Sequence, residues 1–250
     1  MAVDDDMEGT GGMERQDVRK ALFPGRAALQ VIAVLAMVFD HFACIFLQPY
    51  DSVLPFGEEM NTVIYEGFRA VGRVSFPIFC FLLVQGFQMT QNLKKYMLRL
   101  FLFAILSEIP YDLAFSGAVM NWKEQNVLFT LLIGLIVLER LKQFEANWTA
   151  AGIFILTGCI LAVILQTDYS YFGILLIAVM YLLRNNRLQQ MFWAALLIFS
   201  QGGMEIYAVF ALPFCYFYQQ EKNGRRLPRY FLYAFYPLHL LVFWGIFCAI

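Results

Sequence analysis

Apolar runs of about 20 residues, each closed by a short polar break, recur along this chain from residue 28 to its end. A helix of that length crosses a hydrocarbon layer of roughly 30 Å. Within such a layer every backbone N–H and C=O must be satisfied by the protein, which leaves helices or a closed barrel. Barrel strands would alternate over about ten residues, and that alternation is missing. The expected fold is therefore all-α, a polytopic integral membrane helical bundle. Composition agrees: 60% of residues are hydrophobic and 15% charged, too apolar for a surface wetted on all sides. With a net charge of −1 the chain has no basic field for nucleic acid.

Reading the runs against their breakers predicts about nine transmembrane spans, at 28–48, 68–88, 95–115, 126–139, 149–166, 171–183, 189–203, 205–218 and 230–249. The distribution of lysine and arginine is an independent test, because cytoplasmic loops carry the excess. With a cytoplasmic N-terminus, inside segments hold 15 of the 18 basic residues, and the outside loops hold only Lys123. Arg69 and Arg73 lie at or within the second span. The expected location is thus the cell (cytoplasmic) membrane, multi-pass, N-terminus inside and C-terminus outside. Merging the two short runs around Gly202 and Gly203 would reverse the C-terminus. Residues 1–27, which include Asp4, Asp5 and Asp6, are expected to form a polar, disordered cytoplasmic N-terminus, and 28–250 one transmembrane domain. The first apolar run lies too far from the start for a cleavable signal and is expected to stay as an anchor.

Ionisable residues inside the membrane cost a few kcal/mol each unless they face a partner or a cavity. The chain places Asp40 and His41 in its first span, Arg69 and Arg73 at the second, Glu108 and Asp112 in the third and His239 in the last. Arg69 and Arg73 are four residues apart, as are Glu108 and Asp112, so each pair shares a helix face. The arginines and these two acids are expected to neutralise each other, as a structural core or as part of a site. Asp40 and His41 point about 100° apart on a helix, so the aspartate is not expected to orient its neighbour, and either residue can meet Arg73 or a loop group instead. Both histidines of the chain fall at membrane depth, and imidazole is the side chain suited to proton transfer near neutral pH. Pro77, Pro110, Pro213 and Pro237 should kink their spans. At the cytoplasmic side Lys95 and Arg99 share a face and either bind donor phosphates or simply mark topology. The five cysteines are scattered singly and read as small buried hydrophobes. No Cys/His cluster suggests a metal site.

Val38-Phe39-Asp40-His41, Phe68 to Arg73, Phe76-Pro77-Ile78-Phe79, Gln85-Gly86-Phe87 and Ser107 to Asp112 together resemble the TraX family. The similarity runs on through Asn126-Val127, Thr130, Asp168-Tyr169, Gly173 and Tyr236-Pro237-Leu238-His239. That family is named for a membrane protein required for N-acetylation of conjugative pilin, and it looks distantly related to multi-span, acyl-CoA-dependent membrane acyltransferases. In that wider group a basic residue precedes the first-span histidine by eleven positions. Gln30 stands there in this chain, with Arg26 one turn further toward the cytoplasm.

The resemblance implies a membrane-bound O- or N-acyltransferase, an acetyltransferase using acetyl-CoA, whose acceptor is an envelope polymer, lipid or exported peptide. Lys95, Arg99 and Arg26 would bind the donor. His41 would act as base or acyl carrier and Arg73 would stabilise the oxyanion, with Asp40, Glu108 and His239 completing the catalytic set and Arg69 and Asp112 the polar core. The rival readings are a proton-coupled transporter or flippase, and a non-catalytic membrane assembly factor.

Overall fold

The computed structural model describes residues 24–48, 57–220, 227–228 and 230–250. Most of the polar N-terminal segment, and Lys222, Arg225, Arg226 and Arg229, lie outside the described residues. Ten α-helices and one 3₁₀ segment make up the described chain: α1 Arg26–Phe46, α2 Glu58–Gly72, α3 Ser75–Met89, α4 Leu93–Ser116, α5 Val127–Gln143, α6 Trp148–Ile164, α7 Ser170–Leu182 and α8 Arg187–Gln201, then the 3₁₀ segment Gly203–Phe210, α9 Ala211–Tyr216 and α10 Phe231–Ala249. The expected all-helical class is found. Three helical runs among the described residues are long and apolar enough to cross a membrane, namely α1, α2 with α3, and α10, while α6, α7 and Gly203–Tyr216 are apolar but shorter.

Polar breaks in the sequence become caps. Asn92, Asn126, Asn147 and Asn186 each accept a backbone N–H at the start of α4, α5, α6 and α8, satisfying a donor that the first helical turn leaves orphaned. Gly117 ends α4 at φ 67°, the left-handed stop that glycine adopts without penalty. Pro77 has a different consequence from the kink expected within one helix. It lacks an N–H for the Arg73 carbonyl, and its ring crowds that carbonyl. The run accordingly breaks at Arg73-Val74 and restarts as α3. Pro110 and Pro237 are carried inside α4 and α10.

α3 packs against α1, α5 and α7, and α10 closes the assembly against α1 and α4. The buried core is aliphatic and aromatic: Leu29, Ile78, Phe81, Leu135, Ile174 and Ile177 are all fully buried. Outward faces are apolar too. Leu98, Leu102, Ile105 and Ile109 form an exposed stripe on α4, and Ile153, Leu156, Ile160 and Ile164 another on α6. Continuous exposed apolar faces of this kind are unstable in water and stable against lipid, so this is a membrane protein.

α1 and α2 approach closely where Gly72 meets Asp40. A Cβ at Gly72 would overlap the Asp40 side chain. Gly72→Ala is therefore expected to lower stability by roughly 1–3 kcal/mol, the usual cost of overpacking, read as earlier unfolding in detergent. Gly67→Ala, at a position with open space around it, should leave unfolding unchanged.

Candidate functional site

One turn of α1 and the end of α2 build the centre of the site. Asp40 is buried on α1 and accepts from two guanidiniums: Arg69 Nη1 donates to Oδ2 at 2.7 Å and Arg73 Nη2 to Oδ1 at 2.9 Å. Arg73 Nη1 also donates to Glu205 Oε1 at 2.7 Å, tying the 3₁₀ segment to the core. Two cations thus face two carboxylates in a region where Arg73 and Asp40 are 7% and 8% exposed. Charges so desolvated persist only when paired and hydrogen-bonded, and this quartet meets that condition. Arg73 Nε is buried and has no hydrogen-bond partner among the described residues.

The expected partnership of the arginines with Glu108 and Asp112 is not found. Glu108 accepts from the Asn126 side chain, and Asp112 accepts from the Asn121 N–H at 2.7 Å. Both acids hold the α4–α5 connection. The reason is one of packing: α4 lies chiefly against α5 and α10, so its acids turn to the loop that follows, and Asp40 and Glu205 take the arginines. Neither Glu108 nor Asp112 lines the central cavity.

That cavity, about 350 Å³, is lined by Asp40, His41, Arg69, Arg73, Asp168 and Tyr236, among others. Asp168 arrives on the α6–α7 connection, where Gln166, Tyr169 and Ser170 all have positive φ, at 51°, 61° and 40°. Such strain in non-glycine residues persists only where the surroundings fix it. Here a short bridge to Gln125 does so, with the Asp168 N–H donating to the Gln125 carbonyl at 2.8 Å and the Gln125 N–H to the Gln166 carbonyl at 3.0 Å. Thr130 donates to the Asp168 carbonyl, and the Tyr169 ring stacks on Phe76 at 3.6 Å, with the Arg73 guanidinium 6.0 Å from its centroid.

Burial pushes the Asp168 carboxyl up to about 7, Arg73 pulls it down, and Asp40 pushes it up again. An aspartate raised above its unfolded value of about 3.9 contributes most stability below that value and loses it as pH rises through about 7. Asp168→Asn should remove this loss. Its melting temperature relative to wild type is expected to rise from pH 4 to pH 7, and a constant difference would contradict the assignment.

His41 and His239 meet edge to edge. His41 Nδ1 and His239 Nε2 are 2.7 Å apart, and His239 Nδ1 lies 2.9 Å from the Phe235 carbonyl oxygen. The two residues lie 198 positions apart in sequence. His41 lines the cavity, and His239 stands behind it, stacked on Phe235.

A second cavity, about 690 Å³, lies at the end where α1 begins, lined by Arg26, Gln30, Lys95, Tyr96, Arg99 and Tyr233, among others. Gly86 admits Tyr96 and Arg26 to one wall. Gln30 Oε1 and Arg99 Nε are buried there without hydrogen-bond partners among the described residues. Phe79, Leu128 and Leu131 line both cavities, so the two are separated by one layer of apolar side chains.

The structure thus gathers Asp40, His41, Arg69 and Arg73 at one cavity, with His239 behind them, and Arg26, Lys95 and Arg99 at the other. Sequence reasoning missed Glu205 and Asp168 as site members. Glu205 follows Gly202 and Gly203 and reads as part of a break, although an acid between two apolar runs is itself a signal. Asp168 entered only through its resemblance to a family motif.

Fold and site together define a helical membrane protein with a buried, charge-paired chamber and an imidazole pair. The chain belongs to the TraX family: the family model described as TraX protein matches residues 25–247. Among curated proteins it is similar to the probable fimbrial assembly protein FimC, serogroup H1, of Dichelobacter nodosus, with 30% identity over 237 residues, covering 85% of this chain and 91% of that protein. No solved structure matches significantly.

Proposed function

We propose that the protein is a membrane acyltransferase that moves an acetyl group from acetyl-CoA to a hydroxyl or amine of an exported or envelope acceptor. The observation that carries this reading is the pair of cavities on either side of Phe79, Leu128 and Leu131. One is lined by three cations and suits a polyanionic donor. The other presents an imidazole beside a guanidinium donor, a combination suited to acyl transfer. All nine sequence-derived runs are read as spans, with the cationic cavity facing the cytoplasm, where acyl-CoA is made. The relative's description as a fimbrial assembly protein favours a surface-fibre subunit as acceptor.

In the reaction His41 takes a proton from the acceptor O–H or N–H as that atom attacks the thioester carbonyl. The positive charge of Arg73, which lines the cavity, stabilises the oxyanion. Collapse of the intermediate breaks the C–S bond, and the departing thiolate recovers the proton from His41. Asp40 and Glu205 hold the Arg73 guanidinium in place, and Arg26, Lys95 and Arg99 bind the phosphates.

The test is incubation of purified protein in lipid nanodiscs with acetyl-labelled acetyl-CoA and an envelope fraction. Covalent label in a protein, polymer or lipid acceptor is expected. Its absence, together with pH-driven solute uptake in vesicles, would replace this reading with a transporter. Lys95→Ala with Arg99→Ala should weaken acetyl-CoA binding about tenfold or more at unchanged melting temperature, since two charge-assisted contacts of about 1.5–3 kcal/mol are lost. Unchanged affinity would reduce the two residues to a topology signal.

A further inference from the structure

We infer that His239 is a positioning residue that locks His41 in its Nδ1–H tautomer and so reserves Nε2 as the ring's proton acceptor. The argument runs outward from a group that has no choice of role. The Phe235 carbonyl oxygen can only accept a hydrogen bond, so His239 Nδ1, 2.9 Å away, carries the proton. A neutral imidazole has one N–H, so His239 Nε2 holds a lone pair. The nitrogen 2.7 Å from it, His41 Nδ1, must then donate. His41 Nε2 is left bare, and no described group hydrogen-bonds to it. The hydrogen bond at one imidazole nitrogen fixes the state of the other, and here that rule acts through two rings in series.

The arrangement also survives the proton transfer it serves. When His41 Nε2 gains a proton, Nδ1–H still donates to His239, and nothing needs to turn. The opposite order, with a proton on His239 Nε2, would require His41 Nδ1 to accept and Nε2 to carry the hydrogen, which leaves the cavity without a base. Phe235 disfavours that order in the neutral pair. The i to i−4 return from His239 to Phe235 is within one helical turn of α10, so α10 supplies both the second imidazole and its anchor. Phe235 stacks on the His239 ring at 5.1 Å and Phe243 meets its edge at 5.8 Å, holding it in plane.

The catalytic consequence rests on the acyltransferase reading; the tautomer does not, and the two are tested separately. The chain has two histidines, so ¹⁵N-histidine labelling of the full-length protein in nanodiscs gives four ring-nitrogen signals. Two protonated Nδ1 and two bare Nε2 signals are expected, with a scalar coupling across the hydrogen bond between His41 Nδ1 and His239 Nε2. A protonated Nε2 on His41, or no such coupling, would overturn the inference. In His239→Ala, His41 should shift in part to the Nε2–H form, and in His41→Ala, His239 should keep Nδ1–H because Phe235 still holds it. If His239→Ala does not fold, the wild-type spectrum and His41→Ala still decide. For transfer, His239→Ala should lower kcat by about 10–100-fold, the scale on which losing an outer partner weakens an oriented imidazole, at an unchanged KM for acetyl-CoA. Correct tautomers in a protein without transfer activity would overturn the acyltransferase reading and leave the lock standing.

Discussion

His41→Ala is expected to lower acyl transfer by on the order of 10²-fold or more, the usual effect of removing a positioned acid–base group, while the protein still inserts and binds acetyl-CoA. The imidazole stands at the central cavity beside Arg73 and Asp40, yet it carries none of the ion pairs that hold α1 to α2. Those run through Asp40. What alanine removes from the fold is the hydrogen bond to His239 Nε2 and the ring contacts with Phe115 and Tyr236, and an unsatisfied acceptor alone costs roughly 1–3 kcal/mol. A purely structural histidine would produce the same lowering of melting, but activity would fall only in proportion to the folded fraction. Melting, donor binding and transfer are therefore measured on one preparation. Full transfer by stable His41→Ala protein would end the assignment of His41 as base.

The all-helical class and most helix starts could be read from the sequence because they depend on local chemistry. Asparagines before apolar runs cap helices whatever the tertiary arrangement, and the apolar period sets the buried faces. The grouping of charges was less accessible. Four-residue spacing placed Arg69 with Arg73 and Glu108 with Asp112 on shared faces, correctly as to each helix. It could not say which faces meet. That depends on α4 lying against α5 and α10, which no local rule supplies. The same limit hid the His41–His239 pair, although both histidines stood out as buried ionisable residues. Asp40 was a partial exception: its 100° offset from His41 argued against one partner and left Arg73 or a loop group, and the structure gives it both Arg73 and Arg69. Glu205 was overlooked for a different reason. It sits in a glycine-led break, and a polar residue beside glycines reads as exposed loop even when the segment, as here, winds as a 3₁₀ turn against α2.

Arg73→Met should be the most destabilising single change in the site, by about 3–5 kcal/mol, because breaking a buried ion pair leaves the other charge uncompensated. Arg73 contacts both carboxylates of the quartet. Without it Glu205 loses its cation, and Asp40 depends on Arg69 alone. Lysine would not substitute, since one ammonium cannot offer the two arms of a guanidinium to acids on separate elements. A simple loss of side-chain volume predicts no rescue by a second change elsewhere. Charge imbalance does: Glu205→Gln in the Arg73→Met background removes the stranded carboxylate and should recover on the order of 1 kcal/mol or more, within the range of coupling measured for directly bonded partners. Unfolding of the two single variants and the double variant in the same detergent gives the coupling directly. Additive effects would mean that Arg73 and Glu205 are not paired in the folded protein. Coupled effects would mean that the 3₁₀ segment is held to the core by charge, and that any reaction using the Arg73 charge proceeds beside a guanidinium already fixed by Asp40 and Glu205.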